Sequence, residues 1–315
     1  MDSQILTAFI SIGLIGAVLG AVLAYASKVF HVAVDPKVEK IAEILPQANC
    51  GACGFAGCNA YAEAVVEKGA QVTLCTPGGQ DVIDQIASIM GVKAEAGVAM
   101  VAYCACNGTA ENAVNRFEYY GPKSCSAAVF VSGGHKACDY GCLGFGDCVE
   151  ACPFDAMHMS ENGLPVVDDE KCVGCKACVK ACPKGIMKMM PKGAEVYLAC
   201  NSKAKGKEVS DACKVGCIGC KICTLPKTTP SGAIKMDGDL PVVNYEIKDS
   251  LTGAKFKCPK SCFTDKGDLK KTPEQIAAEK ETFKAKEAKA AESAKKAALE
   301  KAAAAKAAKE QGGQA

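Results

Sequence analysis

The chain opens on an apolar run. From Ser3 to Ser27 no residue is charged, and at about 1.5 Å of rise per residue a helix of that length crosses a hydrocarbon core of about 30 Å. Ala24-Tyr25-Ala26 imitates a leader cleavage site, but Met1-Asp2 supplies no basic region ahead of the run. The expectation is an uncleaved transmembrane anchor over residues 1–28. Lys28, Lys37 and Lys40 follow the run and no Lys or Arg precedes it. That asymmetry predicts a single-pass protein of the cytoplasmic (inner) membrane with its bulk on the cytoplasmic side. Gly16 and Gly20 form a G-x-x-x-G spacing that lets another helix approach closely.

Past the anchor the pattern changes. Val38, Ile41, Ala42 and Leu45 recur at helical spacing, predicting a helical lead-in over about 31–48. Residues 81–103 read as a helix followed by a short apolar strand. Two further apolar runs, Leu164-Pro165-Val166-Val167 and Leu240-Pro241-Val242-Val243, suit strands. After Asp268 the chain turns to Ala, Lys and Glu, with helical propensity but no apolar stripe, which predicts a solvated helix.

The two strand-like runs belong to an internal repeat. Tyr103-Cys104-Ala105-Cys106-Asn107 matches Tyr197-Leu198-Ala199-Cys200-Asn201, and Ala137-Cys138 through Gly141-Cys142 matches Ala212-Cys213 through Gly216-Cys217. Two copies of one cysteine-bearing unit therefore follow each other. The expected organisation is an anchor (1–28), a small helical iron–sulfur domain (29–100), a two-cluster ferredoxin-like module (101–198), a second, degenerate module (199–265) and an Ala/Lys/Glu-rich tail (266–315). The fold class is α+β.

Hydrophobic residues make up 49% of the chain, yet the large aromatic core-builders are scarce. There is no Trp, aromatic residues make up 6%, and 22 residues are Cys. A net charge of +2 does not indicate nucleic-acid binding through a strong basic field. The cysteines sit in C-x2-C runs, which read as metal sites and not as the disulfides of a short secreted scaffold.

The most specific run is Cys172-x2-Cys175-x2-Cys178-x3-Cys182-Pro183, the pattern of two-cluster bacterial ferredoxins, whose fourth cysteine serves the other cluster. A zinc site prefers two pairs of ligands. Upstream stands Cys138-x3-Cys142-x5-Cys148-x3-Cys152-Pro153, with Phe145 where the middle cysteine of the run would fall. Crossed ligation predicts one 4Fe–4S cluster on Cys138, Cys142, Cys148 and Cys182, and another on Cys152, Cys172, Cys175 and Cys178. In the second copy Cys217-x2-Cys220-x2-Cys223 is followed by Thr229-Pro230 in place of Cys-Pro, and the return motif retains Cys258-x3-Cys262. One cluster on Cys217, Cys220, Cys223 and Cys262 is expected there, the other being lost. Near the anchor, Cys50, Cys53, Cys58 and Cys75 form a fourth set among glycines that let backbone N–H groups approach the sulfurs.

Cys104, Cys106, Cys125, Cys200, Cys213 and Cys258 are left over, as structural thiols or as ligands of a fifth cluster. His31, His135 and His158 are isolated and suit packing or surface roles. No G-x-G-x-x-G or phosphate loop is present, so no nucleotide or flavin site and no acid–base catalytic residues are expected.

The Asn49-Cys50-Gly51-Ala52-Cys53-Gly54-Phe55-Ala56-Gly57-Cys58 stretch, Cys75, the single amino-terminal helix and the segment Cys142–Pro153 closely resemble the B subunit of the Rnf complexes. The resemblance covers roughly residues 1–262. It implies an iron–sulfur subunit of a membrane-bound, ion-translocating ferredoxin:NAD oxidoreductase, a redox-driven translocase. Such a subunit takes electrons from soluble ferredoxin, while flavins and the NAD site belong to partner subunits. The alternative is an iron–sulfur subunit of another membrane dehydrogenase with a quinone acceptor.

Overall fold

A computed structural model of the chain describes residues 2–29, 35–95, 97–270, 274–289 and 292–293. They fall into two compact units, 1–95 and 96–315. His31 lies outside the described residues.

The first unit begins with α1 (Asp2–Val29), whose stretch Phe9–Val29 has a mean hydropathy of 2.2. Its large apolar side chains, Phe9, Leu14 and Leu23 among them, are exposed, as a lipid-facing helix requires. In α2 (Pro36–Ile44) Asp35 caps the start by accepting from the Lys37 N–H at 2.8 Å, and Pro36 takes the first helical position, where its missing N–H costs nothing. The apolar side of α2 packs Val38 and Ile41 against Tyr61 and Val65 of α3 (Cys58–Glu67) and Ile86 of α4 (Gly79–Met90). Gly91, at φ 71°, closes α4 in the left-handed conformation.

The second unit carries the repeat. Its first copy runs β1 (Met100–Cys104), α5 (Cys125–Ala128), α6 (Asp147–Glu150), β2 (Met157–Met159), β3 (Pro165–Val167), α7 (Ala177–Ala181) and β4 (Met187–Pro191). The second copy runs β5 (Val196–Leu198), α8 (Gly206–Ala212), a 3-10 turn over Ile222–Thr224, β6 (Ile234–Asp237), β7 (Leu240–Val243), α9 (Thr252–Lys257) and β8 (Phe263–Asp265). In each copy an outer antiparallel pair, β1–β4 or β5–β8, brackets an inner antiparallel hairpin, β2–β3 or β6–β7. Short ribbons of this kind have little independent stability; here they close over buried thiols and aliphatics such as Cys148, Cys178, Leu164 and Ile186.

The copies meet through equivalent residues. The rings of Tyr103 and Tyr197 lie 4.8 Å apart, beside a buried group of Val101, Met190 and Ala199. Ala113 and Cys213 form a bridge flanked by Val114 N–H to Ala212 O at 3.0 Å and Lys214 N–H to Asn112 O at 2.8 Å. The start of the tail, expected to be a solvated helix, is helical over 274–289 and mostly exposed, but it docks Phe283 against Phe256, ring centroids 5.0 Å apart. Lys257 joins it by an ion pair to Glu287. One aromatic ring thus does the anchoring that a full apolar stripe does elsewhere.

Candidate metal centres

Three cysteine loops share one backbone course. After Cys142, Cys172 and Cys217, the second residue is Gly144, Gly174 or Gly219, at φ 80°, 70° and 66°. The fourth is Gly146, Lys176 or Lys221, at φ 87°, 63° and 61°. This alternation of left-handed positions curls the chain so that successive thiols face one centre. The first glycine is also obligatory for space, since a Cβ at Gly174 would stand 2.5 Å from the Met100 carbonyl oxygen and one at Gly144 2.8 Å from that of Gly163. Lys176 and Lys221 accept the left-handed strain that Gly146 avoids.

Each loop faces a hollow. Cys152, Cys172, Cys175 and Cys178 line one of about 320 Å³. Cys142, Cys148 and Cys182 line a second of about 390 Å³, but the fourth thiol there is Cys125, not Cys138. Cys125 is carried in by Asp147, whose carboxylate accepts from the N–H groups of Cys125 (2.7 Å) and Ser126 (2.9 Å) and from the Ser124 and Ser126 hydroxyls. Burial pulls the Asp147 carboxyl up, yet these four donors hold it at about 2. Asp147 immediately precedes Cys148, so one carboxylate ties a distant segment to the loop. No spacing rule in the sequence signals this. Phe145, where the loop lacks its middle cysteine, packs on Tyr119 and His135 with centroids 5.5 and 5.4 Å away. His135 therefore packs and His158 is exposed.

In the second copy Cys217, Cys220 and Cys223 border a hollow of about 350 Å³ together with both Cys258 and Cys262. Strand register separates the last two. Cys104 faces Met187 across β1–β4, and Leu198 faces Phe263 across β5–β8. The Ala105 N–H bonds Ile186 O at 2.9 Å, and the Ala199 N–H bonds Cys262 O at 2.7 Å. Cys262 therefore corresponds to Ile186, and Cys258-Pro259 to Cys182-Pro183. The sulfurs agree: the Ile186 N–H donates to Cys182 Sγ and the Cys262 N–H to Cys258 Sγ, both at 3.3 Å. The register therefore sets Cys258, four residues before the expected Cys262, in the position that Cys182 takes in the first copy. A hydrogen bond from Cys262, helped by backbone N–H groups of residues 260–262, brings the Cys258 thiol down to about 6 against its burial. Hydrogen bonds from the Cys104 and Cys262 thiols bring Cys142 and Cys217 each down to about 7 against their burial.

Near the anchor, Cys50, Cys53, Cys58 and Cys75 line a hollow of about 330 Å³. The Asn49 side-chain oxygen accepts from the Cys58 N–H at 2.9 Å, and a Cβ at Gly57 would stand 2.8 Å from that oxygen, so the glycine is needed for the loop to close.

Every described cysteine is a thiol rather than half of a disulfide. Among the described residues no group of three or more His, Cys, Asp or Glu side chains is placed to hold a single metal ion. Four thiols converging on one hollow from ferredoxin-type loops suit a polynuclear group instead. Fold and sites together define a class: a multi-cluster, ferredoxin-like iron–sulfur protein carrying an apolar amino-terminal helix.

Comparison with known proteins narrows the class. Residues 45–77 match a family described as "Putative Fe-S cluster", and residues 138–187 match a "4Fe-4S dicluster domain". The chain is 46% identical to the B subunit of the proton-translocating ferredoxin:NAD(+) oxidoreductase complex of Clostridium ljungdahlii, over 78% of this chain and 87% of that protein. It is 40% identical to the B subunit of the ion-translocating oxidoreductase complex of Methanosarcina acetivorans, over 82% and 97%. It is likewise 40% identical to the Na(+)-translocating counterpart of Acetobacterium woodii, over 82% and 76%. The chain belongs to the B-subunit family of the ion-translocating Rnf complexes. It is accordingly an iron–sulfur subunit of a multi-subunit oxidoreductase, it takes 4Fe–4S clusters, and its apolar helix associates it with a membrane.

Proposed function

We propose that this chain is the electron-relay subunit through which an Rnf-type complex takes electrons from reduced ferredoxin for delivery to NAD, its bulk facing the cytoplasm and its flavin-bearing and multi-helix partners supplied by other subunits. The observation that supports this most is the series of four-thiol hollows on ferredoxin-type loops. Each bound 4Fe–4S cluster supplies one reversible one-electron step. The chain's own residues hold and tune it. Four sets are assigned: Cys50, Cys53, Cys58 and Cys75; Cys125, Cys142, Cys148 and Cys182; Cys152, Cys172, Cys175 and Cys178; and Cys217, Cys220, Cys223 and Cys258. Backbone N–H groups directed at Sγ atoms, as at Cys182 and Cys258, stabilise the added negative charge of reduction and so raise the potential.

The test is anaerobic purification of the intact complex through this chain. Electron paramagnetic resonance signals of reduced 4Fe–4S clusters are expected on adding reduced ferredoxin, together with NAD reduction. A complex that reduces a quinone and ignores NAD would overturn the reading.

A further inference from the structure

Four of the leftover cysteines are not scattered. Cys106, Cys138, Cys200 and Cys213 line one hollow of about 390 Å³, as large as the one at Cys142, Cys148 and Cys182. The repeat supplies them in pairs, Cys106 with Cys200 and Cys138 with Cys213, so each copy gives two equivalent thiols to a shared site at the join. That is why Cys138 is absent from the neighbouring set, and why its counterpart Cys213 is not surplus.

The surroundings are built for an anionic occupant. Gly108 N–H donates to Cys106 Sγ at 3.3 Å, and a Cβ on Gly108 would lie 3.3 Å from that sulfur and 3.9 Å from Cys213 Sγ, inside the hollow. Lys136, 7% exposed, also lines it. Its Nζ donates to Gly108 O at 2.5 Å, and among the described residues no carboxylate pairs with it. A buried ammonium without a countercharge is unfavourable; a thiolate-bound cluster beside it supplies that charge. The sulfurs are also bonded to both neighbouring sites by the same contact, Cys142 N–H to Cys106 Sγ at 3.4 Å and Cys217 N–H to Cys200 Sγ at 3.3 Å.

We propose that Cys106, Cys138, Cys200 and Cys213 bind a fifth 4Fe–4S cluster, placed at the join of the two copies and neighbouring one cluster site in each. The proposal rests on reading the thiol-lined hollows as cubane sites. Twenty cysteines are then ligands, leaving Cys104 and Cys262 as supporting thiols.

The full chain, purified anaerobically, is assayed for iron, acid-labile sulfide and zinc, and weighed by native mass spectrometry. About 20 iron atoms and 20 sulfides per chain are expected, at four each per cubane, with no stoichiometric zinc. Cys200→Ala and Cys213→Ala should each lose about four irons. Unchanged iron in both variants, or one zinc atom per wild-type chain that either variant removes, would overturn the proposal. If neither variant folds, the wild-type mass decides: five cubane increments support the fifth site and four reject it. Cys175→Ala serves as the check on the underlying reading, which fails if that variant keeps all its iron.

Discussion

The two ferredoxin-like copies keep the same ribbons and differ in what fills them. Fourteen residues separate Asp168 from Cys182 and Asn244 from Cys258 alike, so Cys172, Cys175 and Cys178 correspond to Lys248, Leu251 and Ala254. Where the first copy gathers thiols around a hollow, the second buries Leu251 at 3% and Ala254 at 0% exposure within an aliphatic core containing Ile234, Leu240 and Phe263. Thr229, in the place of Cys152, is buried and donates its hydroxyl to Cys223 O at 2.9 Å. The backbone plan therefore does not require a metal at this position. It requires that the space between hairpin and helix be filled, and hydrophobic packing can do that where cluster chemistry is not retained.

The sharpest test restores what was lost. The combined variant Thr229→Cys, Lys248→Cys, Leu251→Cys and Ala254→Cys should gain about four irons per chain, read by iron analysis after anaerobic reconstitution. A variant that folds but gains none would show that the second copy has lost the loop geometry along with the ligands. The converse, Cys175→Ala, should cost about four irons and unfold the 152–178 region, seen as rapid amide exchange there.

Cys258→Ala should remove one cluster, again about four irons, whereas Cys262→Ala should remove none and weaken only the support given to Cys217. A cluster lost from Cys262→Ala alone would refute the register argued from β5–β8. Leu251→Ala should leave iron unchanged and lower stability by about 2–5 kcal/mol, as for other buried leucines, measured by anaerobic urea unfolding.

The smallest effect falls on Asp147. Asp147→Ala frees the Cys125 segment, and partial loss of the cluster at Cys142, Cys148 and Cys182 is expected, visible as substoichiometric iron with the other sets full. The sign of its pH dependence follows from the lowered carboxyl. A folded-state value of about 2 lies below the ordinary value of about 3.9, so the tie is complete above pH ~4 and fades only as the pH falls toward 2. The difference between wild type and variant should therefore be flat from about pH 5 to 8; a deficit that varied across that range would assign the effect to another group.

Local features are legible without coordinates. The anchor, the C-x2-C loops, the repeat and the short strands at 164–167 and 240–243 all follow from patterns within a few residues, because a tight loop or a single helix is determined by its own spacing. The loop cysteines, such as Cys172, Cys175 and Cys178, are of this kind. Closing ligands are of another kind, since each arrives from a segment whose place depends on register or on one side-chain tie. The proposed closing thiol Cys258 stands four residues before Cys262; the shared Cys-Pro-Lys of 182–184 and 258–260 hints at it in the sequence, and the β5–β8 register supports it. Sequence proximity points to Cys138 as the partner of Cys142, whereas the proposed partner Cys125 is carried across from 22 residues away by Asp147.

Sequence alone is thus enough to say what kind of protein this is: a membrane-anchored carrier of 4Fe–4S clusters built on a duplicated ferredoxin-like unit. How the thiols are shared out depends on the folded chain. Cys106 and Cys200 are equivalent positions far apart in the sequence, and nothing local tells them that they face each other. The packing of Tyr103 on Tyr197 and the bridge from Ala113 to Cys213 bring the two copies together and turn two pairs of spare thiols into one site. The physical reason is range: loop spacing acts over a few residues, whereas the join of two modules is set by surfaces that exist only once both have folded.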